Sequence, residues 1–112
     1  MQQAFRIASA TWRPHGDGAP YEVLPILRGM LHIRPDAKPA EAVIILAPGP
    51  HVAALVWLWK RDEMVDVRLV LDGEIVDDQE MVAVLPELRH GSPPRLVLQG
   101  DTALTRQLSG QG

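Results

Sequence analysis

The chain has 112 residues, 46% hydrophobic and 22% charged, which predicts one folded domain covering residues 1–112 and excludes global disorder. The net charge is −3 and Lys60-Arg61 is the one adjacent basic pair, so the sequence lacks the basic stripe of a nucleic-acid-binding surface. Cysteine is absent, which excludes disulfides, thiolate catalysis and cysteine-ligated zinc.

The first forty residues predict one strand and one ambiguous segment. Apolar and polar side chains alternate over residues 4–12, which is typical of a strand. Apolar residues in the segment 21–34 stand at helical spacing, but Pro25 and a glycine interrupt the pattern. The alternative is a hairpin with strands 22–27 and 30–34, and we favour it over the helix.

The middle of the chain predicts a strand, a turn and a helix. Residues 42–47 form a continuous apolar run, as expected for a buried strand. Pro48-Gly49-Pro50 interrupts the run, and residues 51–61 then predict a helix with its basic pair in the last turn. A span crossing a membrane between Ala42 and Trp59 is not expected, because this turn falls in its middle.

Two further strand-and-helix pairs are predicted toward the C-terminus. A valine-rich strand at 65–71 ends at Asp72-Gly73, which could turn the chain into a short return strand. Asp77 or Asp78 can begin a helix over 78–89, and with Asp77 as the N-cap Glu80 falls at N3 and completes a capping-box-like pair. A strand at 95–99 and a helix at 101–108, capped by Asp101, complete the chain.

This alternation predicts a small α/β domain of two or three layers with parallel crossovers. A ferredoxin-like α+β arrangement is the competing fold class. Arginine far outnumbers lysine and asparagine is missing, a composition typical of a GC-rich bacterial genome. The N-terminus lacks the basic and apolar regions of a signal peptide, so we expect a soluble, cytoplasmic protein.

The helix at 51–61 is the strongest functional feature of the sequence. It carries no polar side chain from Val52 to Trp59, so it requires cover on several sides. We therefore predict a homodimer or partner interface at Trp57, Trp59, Leu55 and Leu58. Complete burial of this helix within one subunit is the alternative.

A second candidate is an anion site at the turn before this helix. Backbone N–H groups and the helix dipole favour phosphate or carboxylate there, and we assign Gly49 and His51 to it, with Asp72 and Asp101 from the ends of neighbouring strands. The four histidines show no metal-ligand spacing, and the serines lie in no nucleophile motif. We therefore predict no metal, no cofactor and no catalytic residue.

The apolar run Val43–Ile45, the Gly49-Pro50 turn, the apolar helix and Val67–Asp72 together resemble a family of small CRISPR-associated proteins that bind and cleave cyclic oligoadenylate. The resemblance spans Phe5–Arg89 and implies a ferredoxin-like, oligomeric fold with a nucleotide ligand. The catalytic histidine of that family would fall within Leu58–Arg61, which has none, so cleavage is not carried over.

These patterns favour an accessory or regulatory binding protein that acts through protein–protein association, with a homodimer as the expected assembly. The alternative is a small anion- or nucleotide-binding protein, related to a cyclic-oligonucleotide nuclease, with its site at the Pro48–His51 turn. Catalysis is not favoured, because the sequence carries no catalytic constellation.

Overall fold

Strands dominate the part of the chain that the structure, a computed structural model, describes: residues 3–34, 39–73 and 78–109. In chain order the elements are β1 (Gln3–Pro14), β2 (Glu22–Val23), β3 (Ile26–Ile33), β4 (Ala40–Leu46), α1 (Pro50–Lys60), β5 (Val65–Leu71), β6 (Asp78–Val84), β7 (Glu87–Arg89), β8 (Arg95–Gly100) and α2 (Ala103–Ser109).

All strand pairs among the described residues are antiparallel, and the strands follow the order β6-β5-β1-β3-β4-β8-β7, with β2 beside β1. The long strand β1 changes neighbours along its length. Its first residues pair with β3, and its last residues pair with β2, while β5 runs along its other side. A register shift between Ile7 and Ser9 bends it. The sheet therefore curls into a half-barrel.

The concave face of the half-barrel holds the core. Its largest fully buried side chains come from β3, β4, β5, β6, β8 and α1 and from Leu24, which lies between β2 and β3. The terminal strand β6 approaches β8 closely, because a Cβ atom at Gly100 on β8 would lie 2.6 Å from Val84 Cγ1 on β6. Helix α1 packs against β7 and contributes Leu55 and Leu58 to the core.

Both ends of α1 follow from local sequence. Pro50 opens the helix, where its missing N–H costs no hydrogen bond. At the other end the N–H groups of Asp62 and Glu63 donate to the carbonyls of Trp59 and Leu58 at 3.1 and 3.0 Å. This pattern is a Schellman motif, and Asp62 occupies its left-handed position with φ of 54°.

The predicted fold class is wrong. The chain is neither α/β with parallel crossovers nor ferredoxin-like, but a mostly antiparallel half-barrel with two short helices among its described residues. The strands predicted at 4–12, 42–47, 65–71 and 95–99 coincide with β1, β4, β5 and β8, and the helices predicted at 51–61 and 101–108 with α1 and α2. The error concerns the predicted connections between these elements.

The helix predicted at 78–89 is the source of that error, because this segment forms β6 and β7. The register between β5 and β6 shifts, so that Val65 pairs with Val84 while Val67 pairs with Met81. Two residues of β6 therefore lie opposite Asp66, which defines a β-bulge. The bulge places Met81 and Val84 three residues apart on the same buried face, and that spacing mimics a helix.

Two smaller predictions also need correction. The segment 21–34 is extended, as favoured, but β2 and β3 both pair with β1 instead of each other, and the predicted turn lies inside β3. Helix α2 is capped by Thr102 and not by Asp101, because Thr102 Oγ1 accepts the Thr105 N–H at 3.0 Å. The predicted cap Asp77 and the return strand after Gly73 lie outside the described residues.

Candidate functional site

The side of α1 that points away from the sheet carries exposed apolar side chains. Leu55 and Leu58 are 1% and 4% exposed, which identifies the inward side of the helix. Trp57 lies about 200° around the helix from Leu55 and is 55% exposed. Ala53 and Ala54 precede it by four and three residues, so they share its side, and both are exposed. A helix on a sheet ordinarily presents polar side chains here.

The ring of Trp57 is held in place by a neighbouring cation. The Arg61 guanidinium lies 4.6 Å from the ring centroid, and its Nε lies 3.3 Å from Glu63 Oε1. This cation–π contact covers part of one ring face and leaves the rest of the tryptophan open. We call the exposed apolar residues on the outward side of α1, Ala53, Ala54 and Trp57, the α1 surface; Lys60 and Arg61 border it.

Trp59 projects on another side of the helix and borders a groove. The groove has a volume of about 630 Å³ and is lined by apolar Trp59, Met64, Leu85 and Pro86 and by polar Asp62, Glu87 and Gln99, among others. Trp59, Met64 and Leu85 are 36%, 43% and 49% exposed. We call it the Trp59 groove, and it extends the apolar area beyond the C-terminal end of α1.

The exposure of Trp57 and Trp59 bears on the alternative that α1 is completely buried within one subunit. Complete burial of the helix within one subunit is wrong, because Trp57 and Trp59 are exposed. Leu55 and Leu58, which we had assigned to the interface, belong to the core of the subunit itself. Of the four residues predicted for the interface, Trp57 and Trp59 are therefore the exposed ones, and they project on different sides of the helix.

The Pro48–His51 turn is closed by its own histidine. His51 Nε2 lies 2.7 Å from the carbonyl oxygen of Ala47, and it donates because a carbonyl can only accept. The ring folds against Gly49, where a Cβ atom would lie 2.7 Å from His51 Cε1. Gly49 therefore allows the histidine to cover the start of α1.

The structure separates the four residues that we assigned to the anion site. Gly49 and His51 follow the C-terminal end of β4, whereas Asp101 follows Gly100, which pairs with Ala40 at the opposite end of β4. These two ends lie about 20 Å apart, because β4 has seven residues.

Asp72 lies at the same end of the sheet as Asp101. It follows Leu71, which pairs with Ile7 in the first half of β1. Its side chain is exposed and lies 3.9 Å from Arg6. An anion bound at the start of α1 would therefore not contact either aspartate.

Sequence reasoning missed a cluster around Asp66, which is 2% exposed although charged. Asp66 Oδ2 accepts from Arg13 Nε at 3.1 Å. Asp66 Oδ1 accepts from the Ala83 N–H at 3.0 Å and lies 2.7 Å from His15 Nδ1, which therefore carries a proton. The cluster joins the loop after β1 to β5 and to the bulge of β6.

Tyr21 extends this cluster across the sheet. The guanidinium groups of Arg13 and Arg68 lie 4.4 and 4.6 Å from its ring centroid, and its hydroxyl donates to Glu80 at 2.8 Å. Burial and the nearby Glu80 carboxylate raise the pKa of Tyr21. The contacts connect four separate segments of the chain, which indicates a role in holding the loop 15–20 against the sheet.

The pKa of Asp66 reflects two opposing effects. Burial raises the pKa of this carboxyl group, but the hydrogen bonds from Ala83, His15 and Arg13 together lower it by more, so the net pKa lies below its usual range. The hydrogen bond to Asp66 also raises the pKa of Arg13. Asp66 is therefore ionised at neutral pH. The sequence feature that could have revealed this cluster is Asp66 itself, an acidic residue in a valine-rich strand.

The described residues, 3–34, 39–73 and 78–109, contain neither a metal-ligand cluster nor a helix that could span a membrane. Within these ranges, no three His, Asp or Glu side chains come together as a metal ion would require. Helices of a length and hydropathy sufficient to cross a bilayer do not occur in the same ranges.

Comparison with known proteins defines the class of fold. No protein-family model matches the chain, and no curated protein matches its sequence. The fold is similar to that in the crystal structure of a hypothetical protein from Staphylococcus aureus. The TM-score is 0.70 over 88% of this chain and 68% of that chain, at 11% sequence identity. The likeness is one of fold: a curled, mostly antiparallel half-barrel.

Proposed function

We propose that this protein is a small binding protein that acts through protein–protein association and forms a homodimer through the α1 surface. The observation that carries the proposal is the exposed apolar side of α1, with Trp57 55% exposed beside Ala53 and Ala54. The proposed setting is the bacterial cytoplasm, in agreement with the arginine-rich composition.

A second copy of the chain is a suitable partner for this surface. In a twofold dimer the same patch contacts itself, so the exposed apolar side chains of the α1 surface can pack against their own counterparts. The small side chains of Ala53 and Ala54 allow two helices to approach closely, and the two Trp57 rings can then cover the alanines of the opposite subunit. Tryptophan is enriched among residues that dominate binding energy.

The size of a stable interface indicates that more than α1 takes part. Helix α1 has eleven residues and is therefore about 16 Å long. A typical specific interface buries about 800 Å² on each partner, which exceeds what one short helix supplies. The Trp59 groove, with exposed Met64 and Leu85, adjoins the C-terminal end of α1 and provides the additional apolar area.

Replacement of Trp57 tests this function directly. Trp57→Ala should lower the dimer affinity at least tenfold, measured by sedimentation velocity over a concentration series. Val23→Ala is the matched control, because Val23 is 74% exposed, lies on β2 and belongs neither to the α1 surface nor to the lining of the Trp59 groove. Equal dissociation constants for the wild type, Trp57→Ala and Val23→Ala would disprove an interface at α1.

The competing function is an anion- or nucleotide-binding protein with its site at the Pro48–His51 turn. Gly49 and His51 do lie at the start of α1, but the His51 imidazole donates to the Ala47 carbonyl and covers this turn. Because Asp72 and Asp101 lie at the other end of the sheet, the geometry supports association over anion binding at this place.

A further inference from the structure

The convex face of the sheet carries a second surface, which contains no residue of α1. Residues of β3 and β4 alternate between the core and this face, so that Met30, Val43 and Ile45 point away from the core. Together with Arg28 and Arg95 they line a cavity of about 360 Å³, which Arg6 and His32 also border. We call it the convex-face pocket.

Strand register explains how the pocket is built. Arg28 pairs with Ile45, and Ile45 pairs with Arg95, so the two arginines flank one isoleucine across three neighbouring strands. Their backbones lie about 10 Å apart, which is twice the spacing between strands. In the next row Met30 pairs with Val43 and extends the apolar floor.

A third arginine closes the other side of the floor. Arg6 on β1 pairs with Met30 on β3, so it stands at the end of the second row. The floor is therefore apolar and its rim is basic on two sides, with Arg6 on one side and Arg95 on the other. This arrangement is an amphipathic pocket with a positive rim.

The positive charge of this rim is weakly compensated. Among the described residues, Arg28 and Arg95 form no salt bridge and no side-chain hydrogen bond. Arg6 lies 3.9 Å from Asp72, but both side chains are exposed, and such a pair contributes little. This local excess of positive charge stands in a chain whose net charge is −3.

We propose that the convex-face pocket binds a medium-chain carboxylate, with its alkyl chain on Met30, Val43 and Ile45 and its carboxylate between Arg28 and Arg95. The volume of about 360 Å³ lies in the range of small-molecule sites and is too small for a protein segment with its own fold. Guanidinium groups bind carboxylates through paired, charge-assisted hydrogen bonds. The floor is aliphatic, so it suits an alkyl chain better than a nucleobase, which stacks on aromatic rings.

This proposal does not depend on dimer formation through α1, because the pocket lies on β1, β3, β4 and β8 and uses no residue of that helix. The test is calorimetric titration of the full chain with octanoate, octanol and acetate. Octanoate carries both the chain and the charge, octanol the chain alone, and acetate the charge alone. Octanoate should bind in a one-to-one complex at least tenfold more tightly than either analogue.

Two variants and one control variant test whether octanoate binds in the convex-face pocket. Arg28→Gln/Arg95→Gln should weaken octanoate binding at least tenfold. Lys60→Gln/Arg106→Gln changes the net charge equally at exposed positions outside the pocket, and should leave the affinity unchanged within twofold. Met30→Glu, which places a negative charge on the exposed part of the floor, should also abolish binding.

Several outcomes would overturn the proposal. Equal affinity for octanoate and octanol would show that the arginines do not contribute. Equal affinity for octanoate and acetate would show a simple anion patch. Equal loss of binding in both double variants would show a general charge effect. A change of molar mass in Arg28→Gln/Arg95→Gln would make this face a contact between copies of the chain.

Discussion

The Asp66 carboxylate accepts a hydrogen bond from the backbone N–H of Ala83 at 3.0 Å, and this contact fixes the bulge of β6 against β5. Ala83 has a positive φ of 56°, which is unfavourable for a residue with a Cβ atom. The hydrogen bond to a buried charge helps to stabilise that conformation. The bulge in turn orients the end of β6 toward the Trp59 groove, to which Ala83 and Val84 contribute.

Loss of the Asp66 charge should destabilise the fold. Asp66→Asn keeps the size of the side chain but removes the charge that Arg13, His15 and the Ala83 N–H share. We expect the free energy of unfolding to fall by about 2 kcal/mol, the value of one strong hydrogen bond to a charged group. Urea denaturation at neutral pH measures this change. An unchanged denaturation midpoint would show that the cluster contributes nothing to stability.

The same carboxyl group predicts a dependence of stability on pH. Because the pKa of Asp66 is lower in the folded state than the usual value near 3.9, its ionised form favours folding. That contribution is present above pH of about 4 and is lost as the pH falls through the lower, folded-state pKa. Asp66→Asn should therefore lose less stability than the wild type between pH 5 and pH of about 2. Parallel acid-unfolding curves for both proteins would contradict this assignment.

The end of α1 offers a stabilising substitution. Asp62 occupies the left-handed position of the Schellman motif, where glycine carries no steric penalty. Asp62→Gly should raise the free energy of unfolding by about 0.5–1 kcal/mol, measured by urea denaturation. Glu63→Gly is the control, and it should lower the stability by a similar amount because its φ is not positive. A loss of stability in both variants would show that the motif does not form.

A substitution in the Pro48–His51 turn distinguishes the proposed association function from the competing anion-binding function. His51→Ala removes the hydrogen bond to the Ala47 carbonyl and should cost about 1 kcal/mol of stability. If this turn is not an anion site, inorganic phosphate should shift the melting temperature of the wild type and of His51→Ala equally. A phosphate-induced shift that disappears in His51→Ala would instead support anion binding at the start of α1.

Local pattern predicted several elements but failed at the connection between β5 and β7. Apolar runs and proline or glycine boundaries located β1, β4, α1, β5 and β8. The bulge opposite Asp66 adds one residue to β6, and the buried Met81 and Val84 then stand at helical spacing. The false helix at 78–89 produced a strand–helix–strand order and therefore a parallel sheet. A bulge depends on the partner strand, so the segment itself does not reveal it.

The candidate surface was predicted in part. A helix without a polar side leaves some apolar side chains exposed, as α1 does at Trp57 and Trp59. The sequence of such a helix does not show which side faces the core. For this reason the sequence predicts Leu55 and Leu58 in the interface, whereas the structure buries them in the core. Asp66 and His15 are 51 residues apart in sequence and meet only when β1 and β5 pair, which sequence spacing cannot reveal.

Molar mass in solution tests the proposed homodimer most directly. Light scattering after size-exclusion chromatography should give about twice the chain mass of 12.3 kDa for the wild type at high concentration, with a fall toward one chain mass on dilution. Trp57→Ala should show one chain mass at concentrations where the wild type and Val23→Ala show two. A wild type with the mass of one chain at every concentration would contradict self-association through the α1 surface.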